Sequence, residues 1–339
     1  MQGKDRNGST SPVAELFEER LRQLVLSYDG SSPIYTMIRY HFGYGDETVR
    51  RGKRLRSHLL LRVVQEEGAT VEAGLDAAVA IEILHNYSLV HDDIEDRDAL
   101  RHGHPTVWAK YGIPHGVNVG DSMCAMAYLA ILTNQYRHPA DRIALMTHKL
   151  HEANLNMCGG QGLDISFESA AMVSMNQYLE MVEGKTAALF RASCELGALS
   201  AGADVVRAER YGDLGRAYGL AFQVRDDVLG TWGSPEQTGK PSGADIANRK
   251  WSFPVVWALS GESSSARSEI AKRYARGSAF DESDVRAIIS ALDVLGARAA
   301  ADAACERHLA EANRIAHEAQ LDRSGAVRDF LTLSAQRVA

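Results

Sequence analysis

The spacing of apolar residues constrains this chain most, because it recurs at three and four residues and almost never at two. Val13, Leu16, Phe17, Leu21, Leu24 and Tyr28 line one face of a helix that opens on Ser11 as N-cap and Pro12 at the first helical position. The same period marks Leu59–Gln65, Ala73–Val90, Asp121–Gln135, Ala140–Met157, Met175–Leu196 and Ala203–Leu229 as helix. Asp281–Leu295 and Ala297–Glu318 read as alanine-rich helices split by Gly296. No stretch alternates apolar and polar residues between hairpin turns. The expected fold is an all-α, single-domain helical bundle of roughly ten or more helices, at about 12 residues each. Residues 1–10 are polar and expected to be disordered, and residues 11–339 form the domain. Gly261–Arg267 is the best loop candidate.

A hydrophobic content of 45% over 339 residues supports a large core. The net charge of −7 argues against nucleic acid as the main partner, since a phosphate backbone calls for a basic face. An acidic protein still binds diphosphates where metal ions bridge the like charges. Cys124, Cys158, Cys194 and Cys305 lack metal-ligand spacing and read as small residues of a reducing compartment. No signal-peptide pattern and no apolar run of about 18 residues is found, so no membrane span and a cytoplasmic location are expected.

Two acidic clusters carry the chemistry. Asp92, Asp93 and Asp96 close an apolar helix after Leu89-Val90-His91. Asp92 and Asp96 are four apart and share a helix face, so both are able to point at one cation. Packed carboxylates repel unless a counter-ion offsets them, and hard oxygen ligands suit magnesium. Asp226 and Asp227 end a second apolar helix, after Gly219-Leu220-Ala221-Phe222-Gln223-Val224-Arg225. Two matched pairs suggest two walls of one cavity with metals between. At about 4 Å and an effective dielectric near 20, each unit charge pair is worth about 4 kcal/mol, which is ample to stabilise a leaving diphosphate. Lys53 and Arg56, in Gly52-Lys53-Arg54-Leu55-Arg56, offer a point charge and a fork for phosphate oxygens; a basic surface turn is the plainer reading of that run alone.

In order along the chain, these pieces resemble the trans-isoprenyl diphosphate synthase (polyprenyl synthetase) family. GKRLR at 52–56, HDDIEDRDALRHGHPT at 91–106, Gly120-Asp121, GQGLD at 160–164, Gly184-Lys185-Thr186, FQVRDD at 222–227, and Lys240, Asp245 and Lys250 each match a family signature. The resemblance implies an all-helical fold around a central cavity, a homodimer, and about three Mg2+ ions with bound diphosphate. It implies that Asp92, Asp96 and Asp226 ligate magnesium, supported by Asp93 and Asp227. Arg101, Lys185, Lys240 and Lys250 would hold the allylic diphosphate, and Gly52, Lys53, Arg56 and His85 isopentenyl diphosphate. Thr186 and Gln223 would face the carbocation as the reaction runs through ionisation, condensation and elimination. Two departures stand out: His102 replaces an arginine expected to contact isopentenyl diphosphate, and Gly230 replaces a third aspartate. His102 would be only partly charged at neutral pH. In the family a bulky residue five before the first aspartate floors the product cavity. Here it is Tyr87, followed by Ser88, about 7.5 Å of helix from the metals. This resembles synthases that stop at twenty carbons, with the fifteen-carbon farnesyl product next.

Three other readings stand beside this one. An HD-type phosphohydrolase would use His91-Asp92 but needs a further upstream histidine, and His85 is poorly spaced for it. A class I terpene cyclase shares the first acidic motif, yet the second half carries FQVRDD and the Lys53–Arg56 turn is retained. A non-catalytic partner subunit has no need of the retained Asp92, Asp226, Lys185 and Lys240.

Overall fold

The computed structural model describes residues 11–44, 52–235, 241–276 and 280–337. Helices follow one another almost without interruption: α1 (Pro12–Ser27), α2 (Pro33–His41), α3 (Leu55–Glu66), α4 (Leu75–Glu95), α5 (Val107–Tyr111), α6 (Ile113–Leu132), α7 (Ala140–Phe167), α8 (Met175–Val182), α9 (Ala188–Ser200) and α10 (Val205–Trp232). Further helices span Ala244–Ala247, Phe253–Leu259, Ser265–Ala275, Glu282–Leu295, Ala297–Glu318 and Ala326–Arg337. Among the described residues the one strand pairing joins Leu100–Arg101 to His104–Pro105. The fold is therefore all-α, as the periodicity indicates. The first ten residues, expected to be disordered, lie outside the described residues. No described helix is long and apolar enough to cross a membrane.

Local chemistry sets most boundaries. Pro12 opens α1, although the Ser11 side chain makes no capping bond. Ser174 and Gln177 form a reciprocal capping box at the start of α8. Gly296, at φ 74°, ends one alanine-rich helix and begins the next, the left-handed role that glycine fills at least cost. Several boundaries differ from the sequence reading, three of them instructively. α6 starts at Ile113, well before Asp121, because Pro114 sits in its first turn where a missing N–H costs nothing. α7 runs on past Met157 to Phe167 through Gly159, Gly160 and Gly162, of which Gly160 packs against the Lys185 backbone. The Gly261–Arg267 loop ends at Ser264, whose hydroxyl accepts from the Arg267 N–H and caps the helix Ser265–Ala275.

The chain packs as two compact units. The first comprises the described residues of Met1–Glu152 with Ala192–Tyr211 and Asp322–Val327. Its centre is α4, buried without a break from Leu75 to Leu84, with α6, α3 and α1 packed around it. Gly197 lets the chain rest on α3, since a β-carbon there would meet the Leu60 carbonyl oxygen at 2.6 Å. The second unit comprises Ala153–Arg191, Gly212–Leu321 and the residues from Arg328. Its core gathers Phe167, Tyr178, Val228, Trp251, Phe253, Ile288 and Leu292, and the Trp251 indole N–H donates to the Phe167 carbonyl at 2.9 Å.

Gly197→Ala should force backbone against backbone and cost about 1–3 kcal/mol, the usual penalty of overpacking. Urea unfolding should show a lower midpoint at an unchanged slope.

Candidate active site

In the first unit, α4 ends on His91-Asp92-Asp93-Ile94-Glu95, and Asp96 is its C-cap, donating its N–H to the Asp92 carbonyl at 2.8 Å. Asp92 and Asp96 are partly exposed and share a face. They stand where the last helix carbonyls already present negative charge. Acids at this pole are unfavourable without a cation. Asp93 is different: it is buried, and Arg101 forks onto it with Nη2 2.7 Å and Nε 3.0 Å from Oδ1.

The hairpin delivers Arg101. His102 (φ 53°) and Gly103 (φ 84°) form its two-residue turn, both left-handed as a type I′ turn requires. The base is pinned by Thr106 Oγ1 and Trp108 Nε1, which donate to the Asp98 carbonyl at 2.9 and 3.0 Å. His102 is thus exposed at a turn tip. His91 turns towards α6: its Nε2 lies 3.2 Å from the Val117 carbonyl, and a β-carbon at Gly120 would sit 2.0 Å from it. Gly120 makes room for a packed imidazole, so the HD dipeptide has a structural explanation.

The basic turn rests on a buried network. Gly52 and Lys53 are exposed, whereas Arg54 is buried with φ 53°. Its guanidinium donates to Glu18 at 3.0 Å and Glu82 at 2.8 Å. Glu82 also accepts from Ser57 and Asn86, each at 2.8 Å. Burial alone would raise the Glu82 carboxyl, but Arg54 and Ser57 override it and hold it at about 2. These bonds offset a left-handed arginine. Two residues on, Arg56 Nη1 lies 3.2 Å from His85 Nε2. Burial, and then the Arg56 charge, hold His85 well below its usual value, so a neutral ring accepts from the guanidinium.

In the second unit, backbones meet where glycine alone fits. A β-carbon at Gly160 of α7 would lie 2.1 Å from the Lys185 nitrogen, and one at Gly184 2.7 Å from the Asn156 carbonyl oxygen. At that crossing Glu183–Ala187 forms a π-helical turn, a form common at functional sites, and it carries Lys185 and Thr186. Lys185 Nζ reaches Asp164 at 2.5 Å. Thr186 Oγ1 donates to Gln223 Oε1 at 2.6 Å, and Gln223 Nε2 donates to Asp227 at 2.8 Å. Asp227 is buried and also accepts from the Tyr178 hydroxyl at 2.6 Å and the Phe253 N–H at 2.7 Å. Burial, then Asp245, push its carboxyl up to about 7 despite these donors. Its neighbour Asp226 is exposed. Lys250 is half-buried, and Lys240 lies outside the described residues.

Among the described residues no three His, Cys, Asp or Glu side chains form a metal cage by themselves. Magnesium takes one or two carboxylates, keeps several waters and completes its octahedron with phosphate oxygens. Asp92, Asp96 and Asp226 present such oxygens.

A model of the family described as polyprenyl synthetase matches residues 42–292. The chain belongs to the polyprenyl synthetase family. It is 36% identical over 304 residues to a (2E,6E)-farnesyl diphosphate synthase of Mycobacterium tuberculosis, covering 88% of this chain and 83% of the relative. It is 38% identical over 269 residues to a geranylgeranyl diphosphate synthase of the same organism, covering 78% and 76%. Its fold matches a polyprenyl synthetase of Streptomyces coelicolor with a TM-score of 0.86 at 31% identity, over 96% of this chain and 97% of that one. A geranylgeranyl pyrophosphate synthetase of Pyrococcus horikoshii gives 0.83 at 30%, over 96% and 95%. Within this polyprenyl synthetase, sequence reasoning missed Arg54, Glu82 and Tyr178. Arg54 stood inside a recognised motif, whereas Glu82 and Tyr178 carry no local signal.

Glu82 ionises more readily folded than unfolded, so its stabilisation is complete above about pH 4.5 and is lost as pH falls towards 2. Glu82→Gln should flatten that acid limb of stability. Arg54→Met leaves the buried carboxylate without its cation and should cost about 3–5 kcal/mol near neutrality. Denaturant titrations at stepped pH measure both.

Proposed function

We propose that this chain condenses isopentenyl diphosphate with allylic diphosphates to give a linear all-trans prenyl diphosphate, foremost geranylgeranyl diphosphate, with farnesyl diphosphate the alternative product. The carrying observation is that each acidic motif anchors one aspartate inward and leaves another outward: Asp93 on Arg101 beside Asp92, and Asp227 on Tyr178, Phe253 and Gln223 beside Asp226. The anchored members would fix the helix ends, and the more exposed members would take metal.

Asp92, Asp96 and Asp226 would hold magnesium, three ions in all, and Asp93 and Asp227 would orient these helix ends. When bound, magnesium supplies the positive charge that draws off the allylic diphosphate. Lys185, steadied by Asp164, would bind that diphosphate together with Lys240, Lys250 and Arg101, the last oriented by Asp93. Gly52, Lys53, Arg56 and His85 would seat isopentenyl diphosphate, with His102 at the hairpin tip contributing only when protonated. The Thr186 hydroxyl and the Gln223 amide, locked to each other, would present oxygen to the developing cation. The isopentenyl double bond then attacks the allylic carbon, and the released diphosphate takes the proton lost on elimination.

Product length is read from Tyr87. It is buried, and its ring meets His91 edge-on at 5.6 Å, which supports a fixed side chain able to floor the product cavity, with Ser88 next in sequence. The same reading includes a single catalytic domain over residues 11–339, a cytoplasmic location and a homodimer. Val117, Leu129 and Leu132 of α6, each more than 40% exposed, favour the homodimer.

Incubation with labelled isopentenyl diphosphate and dimethylallyl, geranyl or farnesyl diphosphate, followed by mass spectrometry, should give a twenty-carbon product. Isopentenyl diphosphate left unconsumed would point to a cyclase, and no turnover by the purified chain to a non-catalytic subunit. Asp92→Asn should lower kcat by about 10²–10³-fold. Tyr87→Ala should shift products beyond twenty carbons; an unchanged distribution would remove Tyr87 as the floor.

A further inference from the structure

The short helix Ala244–Ala247 ends in a turn that glycine usually serves. Asn248 is its C-cap, and the next residue, Arg249, has φ 55°. The Arg249 N–H donates to the Ile246 carbonyl at 2.8 Å, and the Lys250 N–H donates to the Asp245 carbonyl at 2.9 Å. This bond pair around a left-handed residue is a Schellman motif. Glycine takes the left-handed position at least cost, and a bulky residue persists there only where its surroundings hold it.

The Arg249 side chain is so held. Its Nη2 donates to the Tyr274 carbonyl at 2.6 Å, and its guanidinium lies 4.8 Å from the centre of the Phe280 ring and 5.8 Å from that of Tyr274. Those two rings meet edge-on at 5.3 Å, and Tyr274 is buried. The Tyr274 hydroxyl donates in turn to the Lys250 carbonyl at 3.2 Å. Burial raises the Tyr274 phenol above its usual value, so it keeps the proton it donates. On the other side of Lys250, Trp251 packs on Tyr274 with ring centres 5.1 Å apart and is tied through its indole to Phe167. Both backbone groups of Lys250 and both its neighbours are thus engaged, and one of the anchors is a side chain that glycine would not supply.

Resting on the functional reading above, in which Lys250 binds the allylic diphosphate, we infer that Arg249 is a positioning residue: clamped by Tyr274 and Phe280, it fixes the backbone of Lys250 so that the ammonium meets the diphosphate already oriented. A side chain that must be ordered on binding typically costs about 2–10-fold in affinity, and the clamp removes part of that cost beforehand.

The test uses the full chain and magnesium-dependent binding of inorganic pyrophosphate by calorimetry. Arg249→Gly accepts the left-handed backbone without strain and removes only the clamp. It should weaken pyrophosphate binding about 2–10-fold and raise KM for the allylic diphosphate by a similar factor while kcat changes little. Lys250→Gln should weaken binding in the wild type, and clearly less so in the Arg249→Gly background, because the two residues act as one unit. Tyr274→Phe keeps the ring and removes only the hydroxyl; it should show the same coupling to Lys250→Gln, and it carries the test if Arg249→Gly lowers Tm. Wild-type binding in Arg249→Gly and Tyr274→Phe, strictly additive effects with Lys250→Gln, or a Lys250→Gln chain that binds as the wild type overturns this inference while leaving wild-type condensation intact. A wild-type chain that neither binds pyrophosphate with magnesium nor consumes isopentenyl diphosphate overturns the functional reading, and this inference with it.

Discussion

Everything in this protein is arranged around acids placed where helices least tolerate them. α4 is a largely apolar helix and α10 a mixed one, and each carries a pair of adjacent aspartates in its C-terminal part. There the peptide dipoles already present negative charge. Left alone, such pairs would fray the helix end or take up protons. The structure divides each pair instead. Asp93 goes inward to Arg101, and Asp227 goes inward to a hydroxyl, a backbone N–H and an amide. The remaining charge is directed outward, where a divalent cation is the natural complement.

Much of the surrounding architecture exists to hold those inward partners. Arg101 reaches Asp93 because a two-residue turn at His102-Gly103 folds the chain back. The histidine that departs from the family pattern is therefore also a turn residue in a left-handed conformation. Phe253 offers its N–H to Asp227 from the first turn of a helix, where that N–H has no intrahelical partner. Thr186 is set against Gln223 by a π turn, and that turn is admitted only because Gly160 and Gly184 allow two backbones to touch. Glycine, unsatisfied helix ends and a strained turn are all used to position polar atoms.

The helical class, the two acidic motifs and the basic turn were legible in the sequence because each rests on local spacing. Asp92 and Asp96 share a face by helix geometry alone, and Gly296 ends a helix by its own conformational freedom. The roles within the motifs were less legible. GKRLR reads through Lys53 and Arg56, yet Arg54 between them is a buried strut on Glu18 and Glu82 while Lys53 is exposed. DDIED reads as Asp92 and Asp96 sharing a face with Asp93 in support, and the structure makes Asp93 a buried anchor on Arg101. Periodicity runs straight through Met175–Leu196, where the structure inserts a π turn that rests against a glycine more than twenty positions upstream.

The sequence by itself determined that the chain is helical, where its acids and bases cluster, and which family those clusters resemble, because helix period and motif order are properties of neighbours along the chain. Only the tertiary structure decided which aspartate of each pair is buried, that Arg54 supports the turn from within, and that Arg249 is clamped against Tyr274 and Phe280. Those outcomes depend on burial and on partners distant in sequence, and the free energy of a buried charge is set by what surrounds it in space rather than by what precedes it in the chain.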